Sequence, residues 1–255
     1  MTDTGAVKRI ATLSELFRPG PSGTAVEYLF KAIFLNDKTD DAGMMARYIE
    51  PGTCVIDVGA HVGYFSRLFA DRNPGGTVLA FEPQSLPRGI STVASFFRRA
   101  RNIVTFPFAL GREPGLLELK IPIKKKGQIG IGLAHVGSDD DLHKRFDVRR
   151  EIVSCETLDR VLARIETGRV SMIKIDVEGG EQDVLRGATA TLAAHRPVVI
   201  CETGDSMGRF GDSVAGLRTF MAGMGYRALD LRTGKEIGPD EPAIDTAFIP
   251  RERQG

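Results

Sequence analysis

Cysteine is scarce in this chain of 255 residues. The three cysteines, Cys54, Cys155 and Cys201, lie far apart and include no C-x-x-C pair. This spacing excludes a disulfide framework and the paired cysteines of a typical zinc site. Two of the three lie inside apolar, strand-like runs. We therefore expect buried thiols in a protein of a reducing compartment.

Long apolar runs and an excess of one charge are also lacking. No segment approaches the roughly twenty apolar residues of a membrane span, and the first residues have no apolar core of a targeting signal. The chain has 34 Lys and Arg against 33 Asp and Glu, a formal net charge of +1. We expect a soluble, cytoplasmic protein with no nucleic-acid and no membrane partner. The sequence leaves open whether it forms homo-oligomers.

The chain does contain enough apolar material for one large α/β domain, since 42% of its 255 residues are hydrophobic. A proline- and glycine-rich cluster at residues 18–23 separates the start from the main fold. We predict an N-terminal extension over residues 1–36, with a cap helix from about residue 25 that covers the ligand or the sheet edge. The main domain is predicted over residues 37–255.

Residues 54–66, CVIDVGAHVGYFS, read as a buried strand that runs into a helix. The β-branched run before Gly59 suits a parallel strand covered on both faces. Gly59 and Gly63 bracket the turn, where a missing Cβ permits unusual dihedral angles and lets a ligand approach the backbone. The N–H groups at the start of the following helix point back toward that turn. The segment therefore predicts a cradle for a small molecule.

A second apolar run, residues 77–81, ends in Glu82 and Pro83. A carboxylate at the end of the second strand of a βαβ unit can accept hydrogen bonds from ribose hydroxyls. The loop is G-x-x-x-G rather than the G-x-G-x-x-G of dinucleotide sites, and Asp57 would repel a pyrophosphate. S-adenosylmethionine, with its ammonium and sulfonium groups, fits these positions better than NAD. Residues 103–110 are predicted as a third strand, whose end at Ala109 lies beside the adenine.

Residues 172–188, MIKIDVEGGEQDVLRGA, form a second strand-to-helix junction, with Asp176 and Glu178 at the end of the strand. A later run, residues 197–201, ends in Glu202 and brings it to the same edge of the sheet. Ligands of open parallel sheets bind outside the carboxyl ends of the strands. These carboxylates could remove a proton from a hydroxyl, stabilise a sulfonium or hold a divalent metal. A structural reading, a helix cap by Glu178 and an ion pair, stays open.

Residues 124–150 are long and irregular, with a basic start, the sequence GQIGIG and a charged run. Such segments in compact domains are often functional. We predict a lid-like, substrate-side insertion, with a solvated insertion as the alternative. His135 and His143 within it become candidate bases only if this segment closes over the site.

The order of these motifs resembles the class I S-adenosylmethionine-dependent methyltransferases, and in particular the FkbM family. The matching segments are D-V-G-A-H-V-G-Y-F-S from Asp57, F-E-P from Phe81, and K-I-D-V-E-G-G-E-Q-D-V-L-R-G-A from Lys174. The resemblance implies a Rossmann-like sheet of seven strands in the order 3-2-1-4-5-7-6, with helices on both faces. His61 and Gly180 stand where the family often has asparagine and histidine.

The resemblance also implies roles for particular residues. Asp57, Gly59 and Gly63 would contact the methionine part of the cofactor, and Glu82 the ribose. The full set of predicted cofactor-binding residues is Asp57, Gly59, Ala60, His61, Gly63, Tyr64, Glu82, Pro83, Ala109 and Asp176. The predicted catalytic residues are Asp176, Glu178 and Glu202.

The sequence thus predicts a methyltransferase that uses S-adenosylmethionine and methylates a hydroxyl of a small molecule, a sugar or a secondary metabolite. A divalent metal stays open as a further cofactor, with no residue assigned to it. Two alternatives remain at this point: a nicotinamide-dependent oxidoreductase and a non-catalytic nucleoside-binding protein.

Overall fold

The fold was analysed in a computed structural model, which describes residues 21–34, 40–124, 128–129, 147–203 and 213–253. The predicted insertion at residues 124–150, with His135 and His143, lies mostly outside these described residues. Among the described helices, none combines the length and the apolar character needed to cross a bilayer. All three cysteines are buried and unpaired, as predicted.

A seven-stranded, mostly parallel sheet forms the centre of the fold. Its strands are β1 (Cys54–Val58), β2 (Thr77–Phe81), β3 (Ile103–Phe106), β8 (Val170–Ile175), β9 (Val198–Glu202), β10 (Tyr226–Asp230) and β11 (Asp245–Pro250). They lie in the order β3-β2-β1-β8-β9-β11-β10. β11 pairs antiparallel with β9 and β10, and the other pairings are parallel. The predicted order 3-2-1-4-5-7-6 is confirmed.

Eight described helices accompany the sheets. They are α1 (Pro21–Phe34), α2 (Asp40–Ala46), α3 (Tyr64–Arg72), α4 (Ser85–Phe97), α5 (Leu158–Leu162), α6 (Glu181–Arg186), α7 (Thr189–His195) and α8 (Val214–Gly223). Alternation along β1 explains why both faces of the sheet are covered. Ile56 packs in one core with Leu185 and Leu217, whereas Val55 packs in another with Met45 and Phe69.

A second, four-stranded sheet is made by β4 (Ala109–Leu110), β5 (Gly115–Lys124), β6 (Gln128–Ile129) and β7 (Asp147–Glu156), in the order β4-β7-β5-β6. The single strand predicted for residues 103–110 is therefore wrong. β3 ends at Phe106 because Pro107 has no N–H to donate to a ladder, and Ala109 joins the second sheet. Residues 147–150, predicted as part of an irregular insertion, belong to β7 and pair with β5.

A helix is present where the cap helix was predicted, as α1, and it packs on α4. Ala32 of α1 packs with Ile90 and Ala94 of α4. The Tyr28 ring meets His61 edge-on, with the ring centroids 6.1 Å apart. α1 therefore reaches the ligand-side loop after β1 through one aromatic contact.

Candidate active site

A cavity of about 840 Å³ opens at the carboxyl ends of β1, β2 and β8, between the main sheet and the second sheet. The loop after β1 contributes Gly59, Ala60, His61 and Val62, and the start of α3 contributes Tyr64 and Phe65. The segment after β2 contributes Glu82, Pro83 and Gln84. The second sheet and its loops contribute Ala109, Leu110, Gly111, Arg112, Glu113, Leu117, Leu119 and Cys155. The end of β8 and helix α6 contribute Lys174, Asp176, Val177, Glu178, Gly180, Asp183 and Arg186.

Gly59 turns the chain out of β1 with a φ of 77°. A Cβ at this position would lie 1.8 Å from the carbonyl oxygen of Asp176, which directly follows the neighbouring strand β8. The N–H groups of Gly59 and Ala60 both donate to the carbonyl of Phe81, at 3.0 Å each. The glycine is therefore required by the close approach of protein backbone, and not only by a ligand as the sequence suggested.

Gly63 is the N-cap of α3 and has a φ of 76°. A Cβ there would come within 2.0 Å of the Ser91 hydroxyl on α4. Gly63 does not line the cavity, whereas the next residue, Tyr64, does. The role of Gly63 is to let α3 begin against α4 with its N-terminus at the cavity.

Glu82 lies at the end of β2 with 7% of its surface exposed. Its Oε2 accepts the N–H of His61 and its Oε1 accepts the N–H of Gln84, both at 2.8 Å. Burial raises the pKa of Glu82 to about 7, against the opposing effect of these two hydrogen bonds. The carboxylate therefore fixes the two loops that flank the cavity and also lines it.

Asp57 is completely buried and does not line the cavity. Its Oδ2 accepts a 2.5 Å hydrogen bond from the Ser66 hydroxyl, and its Oδ1 lies 3.8 Å from Nζ of Lys174. Asp57 therefore lies behind the cavity wall, and its contact with a cofactor stays a prediction. Lys174, which pairs with Asp57 from the neighbouring strand β8, lines the cavity instead.

Asp176, Glu178 and Glu202 come together at the cavity edge, with carboxylate oxygens within 4.8 Å of one another. Burial raises the pKa of Asp176, but the Lys174 ammonium and hydrogen bonds from Glu202 and Lys174 outweigh it and hold this pKa below its usual range. Burial and the Asp176 charge raise the pKa of Glu202 to about 8. At neutral pH the pair therefore shares one proton, which resides mainly on Glu202.

The loop after β8 is held in an unusual backbone conformation. Glu178 has a φ of 58° and Gly179 a φ of 112°. The buried Glu181 carboxylate accepts the N–H groups of Val177 and Gly179, at 3.2 and 3.1 Å. Gly180 is the N-cap of α6. Glu181 thus shapes the loop that presents Glu178, a function the sequence reading had not assigned to it.

His61 also lies in a left-handed conformation, with a φ of 52°. Its Nε2 is buried and has no hydrogen-bond partner among the described residues. Burial lowers the pKa of His61 to about 4. The ring is therefore neutral at pH 7 and can donate or accept one hydrogen bond in the cavity.

The structure places eight of the ten predicted cofactor-binding residues on the cavity wall, with Asp57 and Gly63 behind it. Of the predicted catalytic residues, Asp176 and Glu178 line the cavity, and Glu202 meets them from β9. Lys174 was missed as a functional candidate. The available signal was a lysine inside the apolar strand VSMIKI, because a buried charge needs a partner.

Comparison with known proteins gives a family match over most of the chain. A model described as the methyltransferase FkbM domain matches residues 57–228. The 31-O-demethyl-FK506 methyltransferase FkbM of Streptomyces tacrolimicus is 28% identical over 213 residues, which cover 75% of this chain and 80% of that protein. The AMB antimetabolite synthetase AmbE of Pseudomonas aeruginosa is 29% identical over 201 residues, 68% of this chain but 9% of AmbE.

A crystal structure of methyltransferase FkbM from Methylobacillus flagellatus superposes with a TM-score of 0.48 and 16% identity. The superposition covers 78% of this chain and 44% of that chain.

Proposed function

The chain belongs to the FkbM methyltransferase family, and on that premise we propose that it methylates a hydroxyl of a small molecule, a sugar or a secondary metabolite with S-adenosylmethionine. The observation that carries this proposal is the cavity itself, which is lined by Glu82 after β2 and by Asp176 after β8, with Glu202 next to Asp176. The name of the Streptomyces relative, a 31-O-demethyl-FK506 methyltransferase, supports a small-molecule acceptor.

The residues present fit S-adenosylmethionine. A volume of about 840 Å³ lies within the range of small-molecule pockets, which is about 300–1,000 Å³. Ala109 and Leu110 offer an apolar wall for the adenine, and Glu82 offers a carboxylate for the ribose hydroxyls. Asp176 and Glu178 give the other end a negative character that suits a cationic sulfonium. This fit, together with the family membership, favours S-adenosylmethionine over a nicotinamide cofactor.

S-adenosylmethionine, when bound, supplies a methyl group on a positively charged sulfur that keeps the bonding electron pair when the methyl group leaves. The protein must then hold the acceptor oxygen in line, exclude water and take up the hydroxyl proton. Asp176 is the candidate proton acceptor because it is ionised at neutral pH and lines the cavity. Glu202, which carries the shared proton, donates a hydrogen bond to Asp176 and orients it.

Substitution of Asp176 by asparagine tests this assignment. Asp176→Asn keeps the shape but cannot accept the proton, so we expect retained binding of S-adenosylhomocysteine and a loss of turnover of about 100-fold or more. Isothermal calorimetry measures the binding, and release of S-adenosylhomocysteine from a panel of hydroxylated acceptors measures the turnover. A fully active variant would remove Asp176 from the mechanism.

The cofactor assignment has its own test. Purified protein should bind S-adenosylhomocysteine saturably in calorimetry and should leave NADH fluorescence unchanged in a titration. Binding of NADH alone would favour an oxidoreductase. Binding of S-adenosylhomocysteine without acceptor-dependent turnover would favour a nucleoside-binding protein.

A further inference from the structure

Lys174 places a charged ammonium group beneath the cavity, inside a strand of the main sheet. Its side chain is 4% exposed, and that of Asp57, its register partner on β1, is fully buried. Nζ of Lys174 lies 3.0 Å from Oδ2 of Asp176 and 3.8 Å from Oδ1 of Asp57. The side chain of Asp176 is 35% exposed. Lys174 therefore joins a buried carboxylate to one that faces the cavity.

Two further contacts restrict where this ammonium group can sit. Nζ lies 4.6 Å from the centre of the Phe65 ring, which adds a cation–π attraction. Asp57 is in turn held by the Ser66 hydroxyl. The polar chain Ser66, Asp57, Lys174, Asp176 thus runs from α3 across β1 and β8 to the cavity edge. A buried charge costs several kcal/mol unless it is paired, so the ammonium group and the two carboxylates hold one another in place.

We propose that Lys174 is a positioning residue for methyl transfer: its ammonium group fixes the Asp176 carboxylate at the cavity edge and keeps it ionised as the proton acceptor. This proposal rests on the proposed function and goes one step beyond it. It makes Lys174 the residue that determines which of the two adjacent carboxyls, Asp176 or Glu202, is ionised. Without Lys174, Asp176 and Glu202 would compete for the shared proton on similar terms.

Titratable groups on several elements act on the pair formed by Asp176 and by Glu202 of β9. They are Asp57 on β1, His61 after β1, Lys174 on β8, Glu178 after β8, Glu181 on α6 and Asp245 on β11. His61 is neutral at pH 7, and the remaining groups besides Lys174 are carboxyls. Removing the Lys174 charge therefore leaves Asp176 among acidic neighbours, and its pKa must rise.

The informative variant is the double substitution Asp57→Asn with Lys174→Met. Lys174→Met alone would leave Asp57 as an unpaired buried carboxylate and endanger the fold, whereas the double variant removes both charges of the buried pair. Its matched reference is Asp57→Asn, which keeps Lys174. Circular dichroism and calorimetry with S-adenosylhomocysteine establish that both variants are folded.

The primary readout is an NMR titration of ¹³C-labelled aspartate carboxyls in the free protein, with the Asp176 signal assigned by its loss in Asp176→Asn. We expect the apparent pKa of Asp176 to be higher in the double variant than in Asp57→Asn by about one unit or more. A difference smaller than about 0.3 units would overturn the proposal. This readout needs no turnover, so it decides the role of Lys174 even if no hydroxylated acceptor is methylated and the proposed function fails.

The second readout is the pH dependence of kcat/KM with an accepted hydroxyl compound. With S-adenosylmethionine saturating at every pH, so that the titration of Glu82 does not limit the rate, the acid limb reports the ionisation of the proton acceptor in the cofactor-bound enzyme. We expect this limb to move to higher pH in the double variant by the same amount as the NMR titration. A lower rate with an unmoved limb would mean that Lys174 supports only the fold, and would overturn its positioning role.

Discussion

The single carboxylate of Glu82 has two roles, one observed and one proposed. It already accepts the N–H groups of His61 and Gln84, and it is also the residue proposed to bind the ribose. Alanine at this position would remove both functions at once. Glutamine keeps the shape and one acceptor oxygen, so Glu82→Gln removes the charge and one of the two N–H acceptors while the side chain still fills its place.

We expect Glu82→Gln to weaken binding of S-adenosylhomocysteine by about 10- to 100-fold, because hydrogen bonds to a charged acceptor are worth about 1.5–3 kcal/mol. The pKa of Glu82 is about 7, so the affinity of the wild type should fall as the pH is lowered below 7. Calorimetry between pH 6 and 8, a range of about one unit on either side of this pKa, measures both effects. Equal affinity and an equal pH dependence in the variant would remove Glu82 from the binding site.

Gly59 and Gly75 have nearly the same backbone conformation but different surroundings. Their φ values are 77° and 76°. A Cβ on Gly59 would meet the Asp176 carbonyl at 1.8 Å, whereas a Cβ on Gly75 would have no atom of the described residues within 4 Å. The pair therefore separates the cost of a left-handed alanine from the cost of a steric clash.

For Gly75→Ala we expect a loss of about 1–2 kcal/mol in the free energy of unfolding, the cost of the left-handed conformation alone. Gly59→Ala should lose more than about 4 kcal/mol, because the ends of β1 and β8 must move apart. Urea denaturation of both variants measures the difference. Similar losses would mean that the contact with Asp176 relaxes without cost.

Among single residues, the sequence predicted those whose chemical type and position indicate a function. Glu82, Asp176 and Glu202 each close an apolar strand, and all three lie at the same edge of the sheet. Lys174 and Glu181 were missed because their partners lie on other segments of the chain. A single sequence does not show that Lys174 faces Asp57, 117 positions earlier, or that Glu181 turns back to the preceding loop.

The strands, like the single residues, fall into those that could be predicted from the sequence and those that could not. The strands of the main sheet were predictable because continuous apolar runs such as VSMIKI are typical of strands buried on both faces. Of the second sheet, the alternation of residues 116–123 predicts the strand seen as β5, whereas β4, β6 and β7 were not predicted. β4 has two residues, and β7, DVRREIVSCE, begins with charged side chains that resemble a solvated loop. Its strand conformation depends on pairing with β5, over positions that only the fold brings together.

β5 presents alternate residues to the cavity and to solvent, which offers a matched pair of leucines. Leu117 lines the cavity, whereas Leu116 is 73% exposed. We expect Leu117→Ala to weaken binding of S-adenosylhomocysteine by about tenfold, from the loss of apolar contact with the ligand. Leu116→Ala should bind as the wild type does. If calorimetry finds the same affinity for both variants, the second sheet does not contact the cofactor.

Considered as a whole, the molecule builds its cavity from distant parts of the chain. The loops after β1 and β2, the second sheet and the end of β8 each supply one wall. A ligand that touches all of them must bind the folded chain and not the unfolded one. Binding should therefore appear directly as a gain in global stability.

This linkage gives a test that needs neither an acceptor nor a variant. At a concentration 100 times its Kd, S-adenosylhomocysteine should raise the free energy of unfolding by about 2.7 kcal/mol, measured by urea denaturation at constant pH. NADH at the same concentration should leave it unchanged, because the carboxylates at the cavity edge, Asp176 and Glu178, disfavour a pyrophosphate. Stabilisation by NADH but not by S-adenosylhomocysteine would contradict the cofactor assignment. Stabilisation by both would show that the ribose and adenine walls bind, while the carboxylate end does not discriminate between the two ligands.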